Sequence, residues 1–190
     1  KTGSILDAGC ATGEFLKAAR ERGWAVTGID VSDYAADTAR RAHGLDVRTA
    51  TLEEARFADG AFDAVTAGDI LEHTADPLAF LREIRRILKD DGILYLAVPN
   101  FASAHYSMMR ILARFNHKNY FVLPHHLYHF SPRTVQRLLE KAGFTVTKRV
   151  LTESAIQETG MRQLIMQVIF FLGRVTGKQD RIVLIAGKKR

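Results

Sequence analysis

The apolar segment Ser4-Ile5-Leu6 runs into Asp7-Ala8-Gly9-Cys10-Ala11-Thr12-Gly13, and this junction constrains the chain more than any other stretch. A strand that ends in an acid and then turns through small residues has few continuations. Glycine accepts tight and left-handed backbone turns, and small side chains leave room for a ligand to approach. The helix expected over Glu14–Arg22 would aim its N-terminal amides at whatever occupies the loop. After Gly23 a second strand, Trp24–Ile29, delivers Asp30, about twenty residues downstream, where an acid can accept both hydroxyls of a ribose. Asp7, Gly9, Cys10, Ala11, Gly13 and Asp30 are therefore the expected contacts of a nucleoside-bearing ligand.

Glycine spacing separates two kinds of such ligand. A dinucleotide fingerprint reads G-x-G-x-x-G, whereas Gly9 and Gly13 are separated by three residues with Ala11 between them. The dinucleotide pattern fails. The run Leu6–Phe15 instead resembles the first motif of class I S-adenosylmethionine-dependent methyltransferases, in which the strand-end acid and the glycine loop hold the amino-acid part of the cofactor. Four later segments extend the likeness: Phe62-Asp63-Ala64-Val65, Leu71-Glu72-His73, Leu81 through Gly92, and Glu140-Lys141-Ala142-Gly143-Phe144. Together they are similar to small-molecule methyltransferases of the ubiquinone-biosynthesis O-methyltransferase type.

The resemblance implies an α/β, Rossmann-like fold: a seven-stranded sheet of order 3-2-1-4-5-7-6 with strand 7 antiparallel and helices on both faces. It also implies S-adenosyl-L-methionine as cofactor, with Val31 against the adenine and further contacts from Leu52 and from Asp69 after the fourth strand. Relatives often carry an acid near position 51 for the adenine amino group. Thr51 stands there, so a hydroxyl or nearby backbone is expected to substitute. The chain opens at Lys1 almost on its first strand, without the leading helix such proteins usually carry.

Length and composition set the outer limits. The 190 residues, 47% of them hydrophobic, suit one domain over 1–190 with a sizeable core. A single cysteine permits no intrachain disulfide, and no signal peptide or apolar run of about 18 residues is evident, so a cytoplasmic setting is expected. Residues 1–100 hold 12 Lys/Arg against 17 Asp/Glu, whereas residues 101–190 hold 15 against 4. The second half is thus strongly basic. Such a surface can draw anionic lipid headgroups, nucleic acid or a phosphorylated substrate. Nucleic acid is disfavoured, because Gly68-Asp69-Ile70-Leu71-Glu72 contains no Asn-Pro-Pro-aromatic motif for extracting a base and no Pro-Cys pair is present.

Up to residue 100, short apolar strands alternate with helical patterns, which predicts a parallel sheet. Strands are expected at 4–7, 25–29, 47–49, 62–67 and 93–98, with helices at 14–22, 33–42 and from Pro77, and Asp90-Asp91-Gly92 as a turn. Beyond it come an aromatic, histidine-rich insertion at about 101–130 that could form a lid, a helix from Pro132 to Lys141, strands at 144–150 and 181–186, and an apolar helix at about 161–175. On that helix Met161, Leu164, Ile165, Val168, Phe171, Leu172 and Val175 share one arc, the expected core face. Met166 and Phe170 lie outside it and, with Arg162 and Arg174, suggest contact with an anionic membrane, a lipid-linked substrate or a second subunit.

Methyl transfer from a sulfonium is an in-line displacement, so the protein mainly positions the nucleophile and excludes water. Candidate proton acceptors are His73, beside Asp69 and Glu72 at the carboxyl edge of the sheet, and His129 within His125-His126-Leu127-Tyr128-His129. Some ubiquinone-pathway relatives hold a divalent metal with acids and a histidine at the first of these places; no metal is assigned here. The overall expectation is methylation of a small, partly apolar acceptor, at oxygen rather than nitrogen or carbon. A non-enzymatic cofactor-binding module, or methylation of a lipid-linked or membrane-associated substrate, is the alternative.

Overall fold

Alternating helix and strand signals resolve into seven strands. A computed structural model describes residues 2–116, 126–153 and 160–189, with the side chains of 112–116 and 160–165 left aside. The strands are β1 (Ser4–Ala8), β2 (Ala25–Asp30), β3 (Val47–Thr49), β4 (Phe62–Gly68), β5 (Leu88–Pro99), β6 (Phe144–Thr152) and β7 (Arg181–Lys188). They form one sheet of order β3-β2-β1-β4-β5-β7-β6. The first five pair in parallel, and β7 runs antiparallel to both β5 and β6. This is the topology expected from the sequence.

Each helix begins where local chemistry favours it. In α2 (Asp33–His43) the Ser32 hydroxyl accepts the Ala35 amide, and Gly44 ends the helix in a left-handed conformation. In α3 (Pro77–Ile87) the Asp76 carboxylate accepts the Leu78 and Ala79 amides, with Pro77 in the first turn, where its missing N–H costs nothing. In α5 (Pro132–Lys141) Ser131 and Thr134 form a reciprocal cap. The remaining helices are α1 (Glu14–Glu21), α4 (Ala104–Asn116) and α6 (Gly160–Val175). Helices α1 and α2 lie against β2 and β3, α3 and α5 against β5 and β6, and α4 against α6.

Two apolar clusters hold these layers together. The larger joins the central strands to α3 and α5 through Leu6, Val65, Leu81, Ile84, Leu96, Val135, Leu139 and Phe144. The smaller, Cys10, Leu16, Ala36, Ala39, Leu45 and Val47, lies beneath the loop after β1. Fully burying a Leu or Ile side chain stabilises by about 1.5–3 kcal/mol, so the larger cluster dominates the fold.

Two expectations need correction. The turn expected at Asp90-Asp91-Gly92 lies within β5, where Phe62 faces Leu88 but Ala64 already faces Ile93, so the extra residues bulge out of the ladder. Within the expected lid, residues 104–116 are helical, and Asn100 anchors this helix by donating from Nδ2 to the Gln179 carbonyl at 2.6 Å. His117, Tyr120, Phe121 and His125 lie outside the described residues.

The second correction concerns α6. Val168, Phe171, Leu172 and Val175, expected in the core, are exposed, whereas Ile169 and Phe170 are buried at 5% and 7% exposure. Phe170 meets the His105 ring of α4 edge-on at 6.3 Å, and Gly173 lets the chain after the helix pack closely, with the Lys178 carbonyl 3.0 Å from where its Cβ would stand. Apolar residues occur on both faces of α6, so periodicity alone does not select the buried one.

Candidate active site

The parallel strands end at one edge of the sheet, where a cleft opens between the ends of β1, β2 and β4. The cavity there, about 450 Å³, is lined by Gly9, Asp30, Val31, Thr51, Leu52, Glu53, Ile70, His73 and Phe80, among others. Its walls are largely apolar, with Asp30, Glu53, His73 and Asp76 as the charged or titratable groups.

The loop after β1 is held by backbone geometry. The Gly9 and Cys10 amides both donate to the Ile29 carbonyl, at 2.9 and 3.0 Å, which ties the loop to the end of β2. Gly9, Ala11 and Gly13 all have positive φ, at 79°, 47° and 85°. Ala11 therefore bears a strain that glycine would not. The Ala11 amide donates to Asp30 Oδ2 at 2.8 Å and the Ser32 amide to Asp30 Oδ1 at 2.9 Å, so two main-chain donors fix the carboxylate in the cleft wall. Each oxygen keeps a lone pair for the ribose hydroxyls expected there.

Glycine and cysteine serve this loop differently than expected. A Cβ on Gly13 would stand 2.6 Å from Leu45 Cδ1 and 3.0 Å from Ala39 Cβ, so Gly13 lets the start of α1 pack on α2 rather than a ligand on the loop. Cys10 is 5% exposed, turned into the smaller core against Leu16 and Gly28. Its side chain does not face the cavity, which corrects its expected place beside the ligand. Burial, reinforced by Asp7 and Asp30, pushes its thiol up to about 12, which removes it as a nucleophile.

Asp7 sits deeper than the cavity wall, at 8% exposure. Burial pushes its carboxyl up to about 6; the Thr66 hydroxyl, donating to Oδ1 at 2.5 Å, opposes that rise and Asp30 adds to it. Val31 and Leu52 line the cavity, Val31 as an exposed apolar surface and Leu52 as part of the core floor. Thr51 is committed locally: its hydroxyl accepts the Glu54 amide at 3.2 Å, and its own amide donates to Glu54 Oε2 at 2.9 Å. The acid at this end of the cavity is Glu53, which the sequence reading passed over. Two consecutive acids after Leu52 were the available signal.

Beyond β4 the chain turns sharply. Asp69 has φ 52° and donates its amide to the Ala97 carbonyl at 2.9 Å, while its carboxylate pairs with Arg181 Nη2 at 2.7 Å. Asp69 thus joins β4 to β7 and is not among the residues that line the cavity, unlike its expected place. A 3-10 turn over Leu71–His73 follows. It buries Glu72 to 1% exposure, with neither carboxylate oxygen hydrogen-bonded among the described residues. Burial raises the Glu72 carboxyl above its ordinary range; Asp69 acts in the same direction, against the backbone, His73 and Arg181.

Histidines from two segments meet at this turn. His73 lines the cavity, and its ring lies edge-on to His126 with centroids 4.8 Å apart. The Leu127 and Tyr128 amides donate to the Glu72 carbonyl at 2.9 and 3.2 Å, and the Tyr128 hydroxyl donates to the Ala75 carbonyl at 3.1 Å. One potential ligand atom each from Glu72, His73 and His126 falls within 4.8 Å of the others. A buried carboxylate without a hydrogen bond beside two imidazoles is a donor set that fits a divalent cation. His129 occupies a different place. Its ring stacks on Phe101 at 3.7 Å, and Phe101 stacks on Tyr106 at 4.0 Å. His129 is thus part of an aromatic wall and does not line the cavity.

A glycine-bearing loop after β1, the fixed Asp30 carboxylate and an apolar cleft thus lie together at the carboxyl edge of a Rossmann-like sheet. A family model described as a methyltransferase domain matches residues 1–149. The chain belongs to that family, and S-adenosylmethionine is its cofactor. One curated relative, the ubiquinone biosynthesis O-methyltransferase of Caulobacter vibrioides, is 39% identical over 104 residues, 51% of this chain and 41% of that protein. This chain therefore spans less than half of that relative's length. Among solved structures, an S-adenosylmethionine-dependent methyltransferase from Archaeoglobus fulgidus superposes with TM-score 0.71 at 22% identity, covering 98% of this chain and 86% of that one. A methyltransferase from Haloferax volcanii, solved with its Trm112 activator, gives 0.74 at 18% identity over 98% and 83%. No helix among the described residues is long and apolar enough to cross a membrane.

Proposed function

We propose that this chain transfers the methyl group of S-adenosylmethionine to a hydroxyl oxygen of a small, partly apolar acceptor. One observation carries the reading: a single cavity runs from Asp30, at the ribose end, to His73 of the Glu72-His73-His126 cluster. Asp30 holds the sugar, Val31 and Leu52 flank the adenine, and Glu53 takes the role expected of an acid near position 51. Asp7 carries the negative charge that complements the cationic amino-acid end of the donor.

Displacement at a sulfonium methyl needs alignment and a dry site more than covalent help. His73 faces the cavity and orients the acceptor hydroxyl toward the methyl group. His129, stacked on Phe101 away from the cavity lining, is not in this reading the group that takes the acceptor's proton. Glu72, His73 and His126 are the residues that would hold a divalent ion, which would supply Lewis acidity toward an acceptor hydroxyl. The curated relative's name, an O-methyltransferase, supports oxygen as the methylated atom.

The test is a two-part measurement. Calorimetry with S-adenosylhomocysteine should give one site, weakened about tenfold or more by Asp30→Ala, which removes the ribose contacts. Methyl transfer should then proceed to hydroxyl acceptors and fail with matched amines; transfer to amines alone would overturn the assignment to oxygen.

A second reading, that the acceptor is lipid-linked, is favoured by the exposed Val168, Phe171, Leu172 and Val175 on α6 and by the basic second half. Sedimentation with anionic vesicles at low salt tests it. Protein that stays in the supernatant would exclude this reading.

A further inference from the structure

We propose that the exposed apolar stripe of α6 is the seam between two copies of this chain, which pair through antiparallel α6 helices about a two-fold axis. The seam lies outside the donor cavity and does not depend on the reading of that cavity.

Helix α6 is apolar on two faces. Ile169 and Phe170 are buried, and Gly173 brings the Lys178 carbonyl close behind the helix, so packing against α4 and the following segment fixes which face turns inward. Val168, Phe171, Leu172 and Val175 occupy the outer face at 52%, 60%, 51% and 69% exposure. Their spacing of i, i+3, i+4 and i+7 makes one continuous stripe. A helix that is apolar all round belongs in an interior, so the outer face calls for a second covering element.

The order of residues along the stripe points to what that element is. Read from either end, it presents valine, two large side chains and valine. Antiparallel pairing about an axis between Phe171 and Leu172 therefore sets Val168 against the partner's Val175, and Phe171 against the partner's Leu172. A two-fold interface needs this self-complementarity, because every contact across it occurs twice with the roles exchanged.

Charge favours a second copy over a lipid surface. Among the described side chains of α6, at 166–175, Arg174 is the one charged group, and its Nε and Nη2 donate to Glu153 at 2.9 and 2.7 Å. The cation beside the stripe is thus committed within the chain, whereas a helix lying on an anionic bilayer presents Lys and Arg along its polar face. Apolar side chains of this size and exposure leave roughly 400 Å² uncovered on each copy, so two copies with their flanking residues bury about 1,000 Å², the lower end for a specific pair. A dissociation constant of about 10 μM is expected. Well below that concentration Phe171 has no partner, and its truncation leaves the stability of the single chain almost unchanged.

Sedimentation velocity on the full chain tests the seam. Between about 1 and 200 μM the mass should rise from that of one chain, 21.2 kDa, toward twice that value. Val168→Glu and Val175→Lys should each weaken pairing about tenfold or more, because each places a charge in an apolar seam. Mixed in equal amounts they should pair again, since the antiparallel seam sets the two opposite charges against each other. Ile93→Ser, on the exposed face of β5, should leave pairing intact. Thermal melts on the same samples report whether each variant is folded, and Leu172→Gln provides a further variant should a charged one fold poorly. A single-chain mass throughout the range, pairing that survives both charged variants, or loss of pairing in Ile93→Ser alone would each overturn the proposal. So would a mixture that fails to pair, or a chain that stays single and sediments with anionic vesicles, which would assign the stripe to a lipid surface.

Discussion

Arg181, the first residue of β7, pairs with Asp69, the residue after β4, at 2.7 Å, so the last strand of the sheet braces the turn that leads to Glu72 and His73. Both side chains are partly exposed, at 29% and 45%, which limits the energy of the pair. A double-mutant cycle of Asp69→Asn and Arg181→Met, followed by urea denaturation, should give a coupling energy below about 1 kcal/mol. A larger coupling would mean that the turn itself depends on the bridge.

Asp7 makes stability and cofactor binding depend on pH. Its carboxyl titrates at about 6 in the folded chain against an ordinary 3.8, so the folded state holds this proton more tightly than the unfolded one. The resulting stability is fully present below about pH 4 and is lost as pH rises through about 6. Asp7→Asn should therefore stabilise the cofactor-free protein at pH 7 by up to about 3 kcal/mol and leave it unchanged near pH 4, as thermal melts across pH would show. A cationic ligand group beside Asp7 favours its ionised form. Wild-type affinity for S-adenosylhomocysteine should then rise between pH 5 and 7 with proton release, and calorimetry should find this dependence missing in Asp7→Asn.

Ala11 and Gly13 respond in opposite directions to a methyl group. Ala11 holds φ 47° in open surroundings, so Ala11→Gly relieves left-handed strain and should stabilise by up to about 1 kcal/mol. Gly13→Ala adds a Cβ at φ 85° that stands 2.6 Å from Leu45, and should destabilise by about 2 kcal/mol or more. Denaturation midpoints of the two variants decide the matter.

Neighbouring phenylalanines on α6 should behave unlike each other. Phe170 is 7% exposed and Phe171 is 60% exposed. Phe170→Ala should cost about 3 kcal/mol and Phe171→Ala less than about 0.5 kcal/mol, both read by urea denaturation. Reversal of the two would restore the face expected from periodicity.

These cases show where sequence reasoning holds and where it stops. The β1 loop, α1 and the acid at the end of β2 are contiguous, and their chemistry is local, so Asp7, Gly9 and Asp30 could be placed from residue order alone. Alternation of strands and helices predicted a parallel sheet, whereas its order and the reversed last strand came only with the family resemblance carried by the motifs along the chain. The face of α6 could not be read, since apolar residues surround it and only Gly173 and the His105 contact choose between them. The packing role of Gly13 depends on Leu45, and the Glu72-His126 meeting depends on a backbone anchor across more than fifty residues. Such encounters leave no periodic trace in the sequence.

The reversed direction of β7 has an outcome for anyone attaching something to this protein. Its start reaches the catalytic edge through Arg181, so the strand's eight residues carry the chain away from the cavity, at about 3.3 Å per residue, to the opposite rim of the sheet. A reporter or surface tether joined after Lys189 would sit about 25 Å from the methyl donor and leave its mouth open. The same cargo placed at the turn before β7 would crowd Arg181 and, through it, Asp69.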